Sequence, residues 1–311
     1  MHFDAESDRL VLRDGDSVLA EYVFEPTDPQ CESPRPFALL RTRAGAEVTA
    51  HRPEDHVWHK GLSLALPHVG GHNFWGGPTY VHGTGYVQLP NNGAQRHRAF
   101  TPSDTPVADA VAGVARMDEQ LDWVAEDGAL VLTEHRVLTA RLLDDTTWAL
   151  SWRSVLRNAT PGPLAFGSPT SKGRADAGYA GIFWRGTDAF TGGAVLAPSG
   201  PVGDAARGQA GPWLAAIAAD ESAGVLMLAP TADEPWFARS AEYAGLCPAP
   251  FFYDETVLDP GGTLELTAVI VVGDRHVAEF APSVGAGLVA ELRTMPAPEP
   301  FPARPVTGVL A

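Results

Sequence analysis

Histidines are concentrated in one short part of this chain. Six of the ten lie between positions 51 and 82, close to Asp55, Lys60, Asn73 and Trp75. Histidine is the side chain best suited to proton transfer near neutral pH, and it is the commonest metal ligand in proteins. We therefore expect the chemistry of the protein in this segment, which contains His51, His56, His59, His68, His72 and His82.

Two pairs of neighbouring residues in the segment place an acid or a base beside an imidazole. Asp55 precedes His56, and Lys60 follows His59. A carboxylate beside a histidine can fix its tautomer, which suits general acid/base catalysis. We predict His56 and His59 as catalytic residues on this ground.

The same histidines allow a second interpretation as metal ligands. Two residues separate His56 from His59, a spacing that suits two ligands of one divalent transition metal. His51 would be the third ligand, and Glu134 or His82 could complete the set. The sequence leaves open whether a metal is bound, and no cofactor is predicted in the first interpretation.

Flat aromatic rings follow the histidines. The sequence His72-Asn73-Phe74-Trp75 places an indole next to amide and imidazole donors. Sugar C–H groups can stack on such a ring while the hydroxyls take directed hydrogen bonds, an arrangement typical of small-molecule pockets. We predict a sugar-binding surface, whose ligand-binding residues in this segment are His51, Asp55, Lys60, His72, Asn73, Trp75 and His82.

A second binding segment is predicted at residues 168–186. It is a glycine-rich loop-and-strand stretch, and loops of this kind often carry binding residues. Its basic side chains could hold a carboxylate or another oxygen-rich ligand. The candidates are Lys172, Arg174, Tyr179, Trp184 and Arg185.

Glu134-His135 is the candidate acid/base pair from outside the histidine segment. It lies in the return strand of a predicted hairpin, where Glu134 shares a face with Leu130 and Leu132. An inward carboxylate needs a partner. We predict that Glu134 or His135 acts as the base opposite His56 or His59.

The elements that must position these residues are predicted to be β-strands. Short apolar runs with period-2 alternation are bounded by Gly, Pro and Asp throughout the chain, and two of the runs form clear hairpins. Residues 159–214 are expected to be mostly long loops, and one short helix is expected at 282–293. We predict an all-β fold, one large antiparallel β-sandwich domain over residues 1–311 with a Pro-rich arm at 295–311. A split near residue 158 is the alternative.

Composition limits the class of partner. The net charge of −16 repels phosphate backbones and anionic lipids, so neither nucleic acid nor a membrane surface is an expected partner. No serine-hydrolase elbow, P-loop or zinc-peptidase motif is present. The two cysteines form no secreted-type framework, and the N-terminus lacks a signal peptide, so we expect a cytoplasmic protein. The sequence is also compatible with a homodimer.

Three motifs resemble the bacterial family labelled "PmoA-like" or DUF6807. They are Asp55-His56-x-x-His59-Lys60-Gly61-Leu62, Asn73-Phe74-Trp75, and Gly178-Tyr179-x-Gly181-x-Phe183-Trp184-Arg185. The usual form has Pro-His where this chain has Val57-Trp58, Arg for Lys60 and Asp for Asn73. The resemblance implies a fold similar to the galactose-mutarotase β-supersandwich, in which a histidine acid and a carboxylate base act on a sugar bound to a broad sheet.

These observations together predict a carbohydrate-active enzyme. Its reaction would be proton transfer on a sugar or sugar acid: mutarotation, epimerisation, or elimination or hydrolysis of a keto-sugar or glycoside. The alternatives are a histidine-ligated, metal-dependent oxygenase or lyase and a non-catalytic sugar-binding module.

Overall fold

The protein is built almost entirely from β-strands. The structure is a computed structural model that describes residues 1–101 and 113–295. In chain order, its strands are β1 (His2–Ala5), β2 (Arg9–Asp14), β3 (Ser17–Val23), β4 (Phe37–Leu40), β5 (Leu62–Ala65), β6 (His68–Val69), β7 (Thr79–Val81), β8 (Gly85–Val87), β9 (Ala94–Phe100), β10 (Val114–Val124), β11 (Leu130–Leu142), β12 (Trp148–Asn158), β13 (Leu164–Gly167), β14 (Gly181–Arg185), β15 (Ala194–Ala197), β16 (Gly200–Pro201), β17 (Trp213–Ile217), β18 (Gly224–Leu228), β19 (Trp236–Arg239), β20 (Gly245–Pro248), β21 (Thr256–Leu258) and β22 (Thr263–Gly273).

Two large antiparallel sheets contain most of these strands. One has eight strands in the order β1-β2-β3-β4-β5-β14-β20-β19, and the other has nine in the order β16-β15-β17-β18-β22-β12-β11-β10-β9. Two small sheets, β21-β13-β6 and β7-β8, complete the set in the described residues. The prediction of an all-β, large antiparallel sandwich is confirmed, and both predicted hairpins are present as β2–β3 and β10–β11.

The main hydrophobic core lies between the two large sheets. Trp184 and Leu246 of the eight-stranded sheet belong to the same buried cluster as Trp123, Trp152 and Ile270 of the nine-stranded sheet. Side chains alternate between the two faces of a strand, so every second residue enters this core. The intervening residues of the eight-stranded sheet face outward and are free to build a site.

A short helical segment covers the outer face of the nine-stranded sheet. It consists of a 3₁₀ turn (Val277–Phe280), α1 (Ala281–Val284), a π-helical turn (Gly285–Val289) and α2 (Ala290–Thr294). Val284 and Leu292 pack there against Leu226 and Val271. The helix predicted at 282–293 is therefore confirmed. The Pro-rich arm predicted at 295–311 lies outside the described residues except for Met295, and the assignment of one domain stays a prediction.

Other 3₁₀ turns are Gln30–Glu32, Asp188–Phe190 and Gly203–Ala206. In the described part of the chain, no helix is long and apolar enough to cross a membrane. The two cysteine thiols are unbonded, with Cys31 exposed and Cys247 buried.

The region 159–214 was predicted to be mostly long loops, and most of its residues do lie outside strands, although five strands enter it. It contains β13, β14, β15 and β16 and the start of β17. In β14 all five residues are buried, so the strand shows no alternation of polar and apolar residues to reveal it. This strand lies between β5 and β20 in the eight-stranded sheet and carries part of the candidate site.

Candidate functional site

A cavity of about 390 Å³ lies on the outer face of the eight-stranded sheet. Along β14, Ile182 and Trp184 enter the main core, whereas Phe183 belongs to a separate cluster below the cavity. Phe237 of β19 reaches the same side. The lining residues are His56, Trp58, His59, Trp75, Gly76, Pro78, Tyr86, Arg174, Tyr179, Phe237, Arg239, Glu242 and Tyr243.

Four polar side chains form one connected network at the edge of the cavity. Asp55 accepts hydrogen bonds from Arg185 Nη2 (2.9 and 3.0 Å) and Nη1 (3.0 Å), and from His56 Nδ1 (2.8 Å). Arg185 Nη1 also donates to His59 Nδ1 at 3.0 Å. The imidazoles of His56 and His59 stack with ring centroids 4.6 Å apart and planes 6° from parallel. Four of the predicted site residues are thus brought together.

The partners of the two imidazoles fix their tautomers. A carboxylate only accepts hydrogen bonds, so the hydrogen of neutral His56 is on Nδ1. A guanidinium only donates, so Nδ1 of His59 is bare and Nε2 carries the hydrogen. Both residues line the cavity, and in these tautomers His59 carries an N–H group at Nε2 and His56 carries a lone pair there.

Burial separates the roles of these two histidines. His59 is only 2% exposed, and burial, with the nearby charges of His56 and Arg185, lowers its pKa well below 6.5. It is therefore neutral near pH 7. Burial raises the pKa of Asp55, but hydrogen bonds from Arg185 and His56 outweigh it and hold that pKa below 3.8. The His56 side chain is 35% exposed, so water and a ligand can reach it.

Aromatic rings form the walls of the cavity. The Trp75 ring lies 4.5 Å from that of Tyr179 and 4.8 Å from that of Phe183, measured between centroids. Tyr243 forms another wall, with the Arg185 guanidinium 4.3 Å above its ring. Trp58 completes the enclosure. Such faces suit the C–H surfaces of a sugar, as the sequence predicted for Trp75.

One buried arginine, which the sequence did not indicate, holds two of these walls. Arg35 is fully buried and donates to the backbone oxygens of Trp58 and Trp75, each at 2.9 Å. It also binds Ser33 O and Ser63 Oγ, both at 3.1 Å. Burial lowers the pKa of its guanidinium to about 9, so it remains a cation at neutral pH. Arg35 is a positioning residue.

Asn73 shapes the turn that carries Trp75. Its Oδ1 accepts from the backbone nitrogens of Trp75 (2.9 Å) and Gly76 (3.0 Å), and its Nδ2 donates to Gly77 O and Thr79 Oγ1. The residue is 1% exposed, so the structure does not support its predicted contact with a ligand. Gly76 has φ of +101°, and a Cβ there would lie 2.4 Å from a backbone oxygen.

Further polar groups line the cavity. Arg174 donates to the Tyr86 hydroxyl, and its guanidinium lies 4.8 Å above the Tyr86 ring. The hydroxyls of Tyr86 and Tyr179 are 2.7 Å apart. Arg239 pairs with Glu242, whose side chain is 73% exposed. The predicted residues Arg174 and Tyr179 therefore line the cavity.

Lys60 is structural, which corrects its predicted role in binding. Its side chain is fully buried, with Nζ 2.6 Å from Glu32 Oε2 and 3.0 Å from Asp28 Oδ1. Burial lowers its pKa. Glu32 also binds Arg52, at 2.7 and 2.9 Å. These ion pairs fasten the histidine segment to the preceding loop.

Glu134 and His135 do not line the cavity, which corrects their predicted catalytic role. Glu134 points inward, as predicted, but lies fully buried in the main core. It accepts from Arg136 Nε (2.7 Å), Trp123 Nε1 (2.7 Å) and Ser154 Oγ (2.5 Å). His135 lies 3.2 Å from Asp118 instead. The inward carboxylate has its partners within the core.

The three histidines of the metal interpretation do not converge. His51 stacks on Phe37 at 4.4 Å and lines a different cavity, and its Nε2 is 3.7 Å from Asp28. His56 and His59 present parallel ring faces to each other. Over residues 1–101 and 113–295, no group of three or more His, Cys, Asp or Glu side chains is arranged to hold a metal.

Two further predicted ligand-binding residues lie away from the cavity. His72 is half-buried beside Phe74, with ring centroids 6.3 Å apart. Trp184 is fully buried in the main core, where Nε1 donates to Val48 O at 2.9 Å. Its position in β14 turns it away from the side that carries Phe183. Both predictions are corrected.

His82 and Lys172 support the cavity wall without lining it. His82 Nδ1 lies 3.1 Å from the backbone oxygen of Lys172. The Lys172 ammonium pairs with Glu255. Both contacts hold the loop that carries Arg174, so these two predicted residues act as supports.

Several lining residues were missed in the sequence. Period-2 alternation in β19 could have paired Phe237 with Arg239 on one face. Nothing local indicates Tyr86, Glu242 or Tyr243, because the cavity forms only where distant strands become neighbours.

Comparisons with known proteins place the chain in a family. No curated protein matches it. It is similar to the Slr1438 protein from Synechocystis sp. PCC 6803, with 11% identity, a TM-score of 0.40 and coverage of 86% of this chain and 95% of that one. It is also similar to a "putative aldose 1-epimerase" from Klebsiella pneumoniae subsp. pneumoniae MGH 78578, with 12% identity, a TM-score of 0.24 and coverage of 56% and 58%. At these TM-scores neither similarity bears on the chemistry. The DUF6807 family matches residues 9–281, so the predicted resemblance is confirmed and the chain belongs to this family of unknown function.

Proposed function

We propose that the chain is a carbohydrate-active enzyme that transfers protons in the aromatic-walled cavity. The observation that carries this proposal is the Asp55–His56 pair, which lies at 2.8 Å beside the neutral N–H donor of His59. A sugar could stack its C–H groups on Trp75 or Tyr243 while its oxygens meet the imidazoles. A pocket of aromatic walls and a few directed polar groups is typical of small-molecule sites.

In this proposal each polar residue has a separate task. His56 Nε2 takes or gives the proton, and Asp55 holds the ring and stabilises the imidazolium that forms. His59 Nε2–H donates to a ligand oxygen and keeps it in place. One positioned acid/base group typically contributes about 10²–10⁴ in rate.

Glu242 is the candidate for the second proton-transfer group, in place of Glu134. Glu242 lines the cavity, whereas Glu134 is enclosed in the core. Mutarotation, epimerisation and elimination or hydrolysis of a keto-glycoside all require proton transfer at a sugar carbon or oxygen. The proposal covers this class of reactions.

The test is proton NMR in D₂O on a panel of reducing sugars, sugar acids and 3-keto-glycosides. We expect at least one compound to turn over with a bell-shaped pH dependence, and His56→Gln to lose about 10²-fold or more of that rate. His72→Gln is the matched control, since it changes the same residue type outside the cavity. Equal rates in both variants would overturn the assignment of His56.

A non-catalytic sugar-binding module is the second candidate. The observation that favours it is the state of Glu242, which is mostly exposed and already paired with Arg239. In that case a compound of the panel would bind without turnover, and His56→Gln would change its affinity alone.

A further inference from the structure

We propose that the ligand of this cavity carries a carboxylate, and that Arg174 together with the Tyr86 hydroxyl binds it. The inference rests on the proposed function, because it places this group in the same cavity as His56. It names the substrate class as a sugar acid.

The first support is the charge environment of Arg174. The chain has 38 acidic and 22 basic residues, so a basic side chain has many carboxylates to pair with. Two other arginines beside the cavity, Arg185 and Arg239, each bind a carboxylate of the protein. Among the described residues, the Arg174 side chain forms no ion pair; it donates to the Tyr86 hydroxyl and lies over the Tyr86 ring. Its remaining N–H groups are available to a ligand.

The second support is the chemistry of the groups around that guanidinium. Arginine presents five N–H donors in a planar fork that matches a carboxylate. The Tyr86 hydroxyl accepts from Arg174 and is also 2.7 Å from the Tyr179 hydroxyl. A phenolic O–H can donate to the same carboxylate, so cation and hydroxyl together fit one singly charged oxygen acid.

The third support is that the Arg174 loop is fixed in advance. Lys172 pairs with Glu255, and the Lys172 backbone oxygen meets His82 Nδ1 at 3.1 Å. The backbone nitrogen of Ala177 donates to Thr170 Oγ1 at 2.8 Å. A binding group that is already ordered loses less conformational freedom when the ligand arrives.

The experiment is isothermal titration calorimetry with matched neutral and acidic sugars: glucose against glucuronate, and galactose against galacturonate. The three proteins are the unmodified chain, Arg174→Gln, and Arg96→Gln as control. Arg96 is exposed on β9 of the other sheet, so its substitution removes the same charge away from the cavity. Circular dichroism verifies that each variant is folded.

We expect the acid of at least one pair to bind about tenfold or more tightly than its neutral partner, since hydrogen bonds to charged groups are the stronger ones. Arg174→Gln should abolish this preference, whereas Arg96→Gln should keep it. Equal binding of acid and neutral sugar, or an acid preference retained in Arg174→Gln, overturns this inference but leaves the proposed function standing. Tighter binding of glucose 6-phosphate than of glucuronate would assign the site to phosphate and also overturn it. If no sugar of either kind binds, the proposed function fails with it.

Discussion

Replacing Asp55 by Asn tests the network that orients the two stacked histidines. The carboxylate accepts three hydrogen bonds from Arg185 and one from His56. In the variant, the amide can no longer serve as a charged acceptor for both partners. We expect His56 to lose its preference for the Nδ1–H tautomer, while His59 keeps Nε2–H because Arg185 still donates to its Nδ1.

The cost in stability follows from the exposure of the two partners. The Arg185 side chain is 3% exposed, and breaking a buried ion pair costs about 3–5 kcal/mol. The Asp55 side chain is 44% exposed, however, so water can replace part of what is lost. The amide oxygen of Asn also keeps one acceptor. We therefore expect the free energy of unfolding to fall by about 1–3 kcal/mol.

The assay is urea unfolding together with ¹⁵N NMR of the imidazole nitrogens. Asp16→Asn is the control, since Asp16 is exposed and makes no hydrogen bond through its side chain within the described residues. That variant should stay within about 0.5 kcal/mol of the unmodified chain. If Asp55→Asn matched it in stability, or if the tautomer of His56 were unchanged, the account of the network would be refuted.

Three further predictions concern the surroundings of the site. Glu134→Ala should lower the free energy of unfolding by about 3–5 kcal/mol, because it leaves Arg136 buried without its carboxylate; in calorimetry, the folded fraction should bind ligand with unchanged affinity. Burial lowers the pKa of His68 to about 4, below its unfolded value of 6.5, so the unfolded chain binds the extra proton first. Stability should therefore fall as pH drops from about 6.5 to 4, by up to about 1.4 kcal/mol per pH unit, and urea titrations of His68→Gln should show a shallower slope. Gly76→Ala should be less stable than Gly83→Ala in thermal unfolding: both have positive φ, but only at Gly76 would the new Cβ meet protein atoms. Equal losses in the two variants would contradict the steric argument.

The β architecture could be predicted because alternation along a strand is a local property. The hairpins β2–β3 and β10–β11 were recognisable from their apolar periodicity and turn residues. A strand was predicted within residues 168–186, but the bounds of β14 were not, since both of its faces are buried and the pattern becomes continuous. Once the strand is known, alternation along it places Phe183 and Arg185 on one face of the sheet and Trp184 on the other.

The candidate site could be predicted only in part. Asp55, His56 and His59 were within reach because they lie close together in sequence and have chemically suggestive types. Glu242 and Tyr243 were not, because they reach the cavity through the order β5-β14-β20-β19, which no local pattern specifies. Glu134 showed the opposite error: its inward direction was right, but Arg136, two residues away, already satisfies it.

The hydrogen bonds from Arg35 to two backbone oxygens limit how the shape of the cavity can change. The Arg35 guanidinium is hydrogen-bonded to the backbone oxygens of both Trp58 and Trp75. The distance between the two loops that carry these indoles is therefore set by one side chain. Substituting either tryptophan changes the surface of the cavity but leaves the backbone oxygens that Arg35 binds. Moving these two loops apart to admit a thicker ligand requires new partners for Arg35. Substitutions at Arg174 or Arg239, in contrast, would change the charge and hydrogen bonding of the cavity without changing the distance between the two loops.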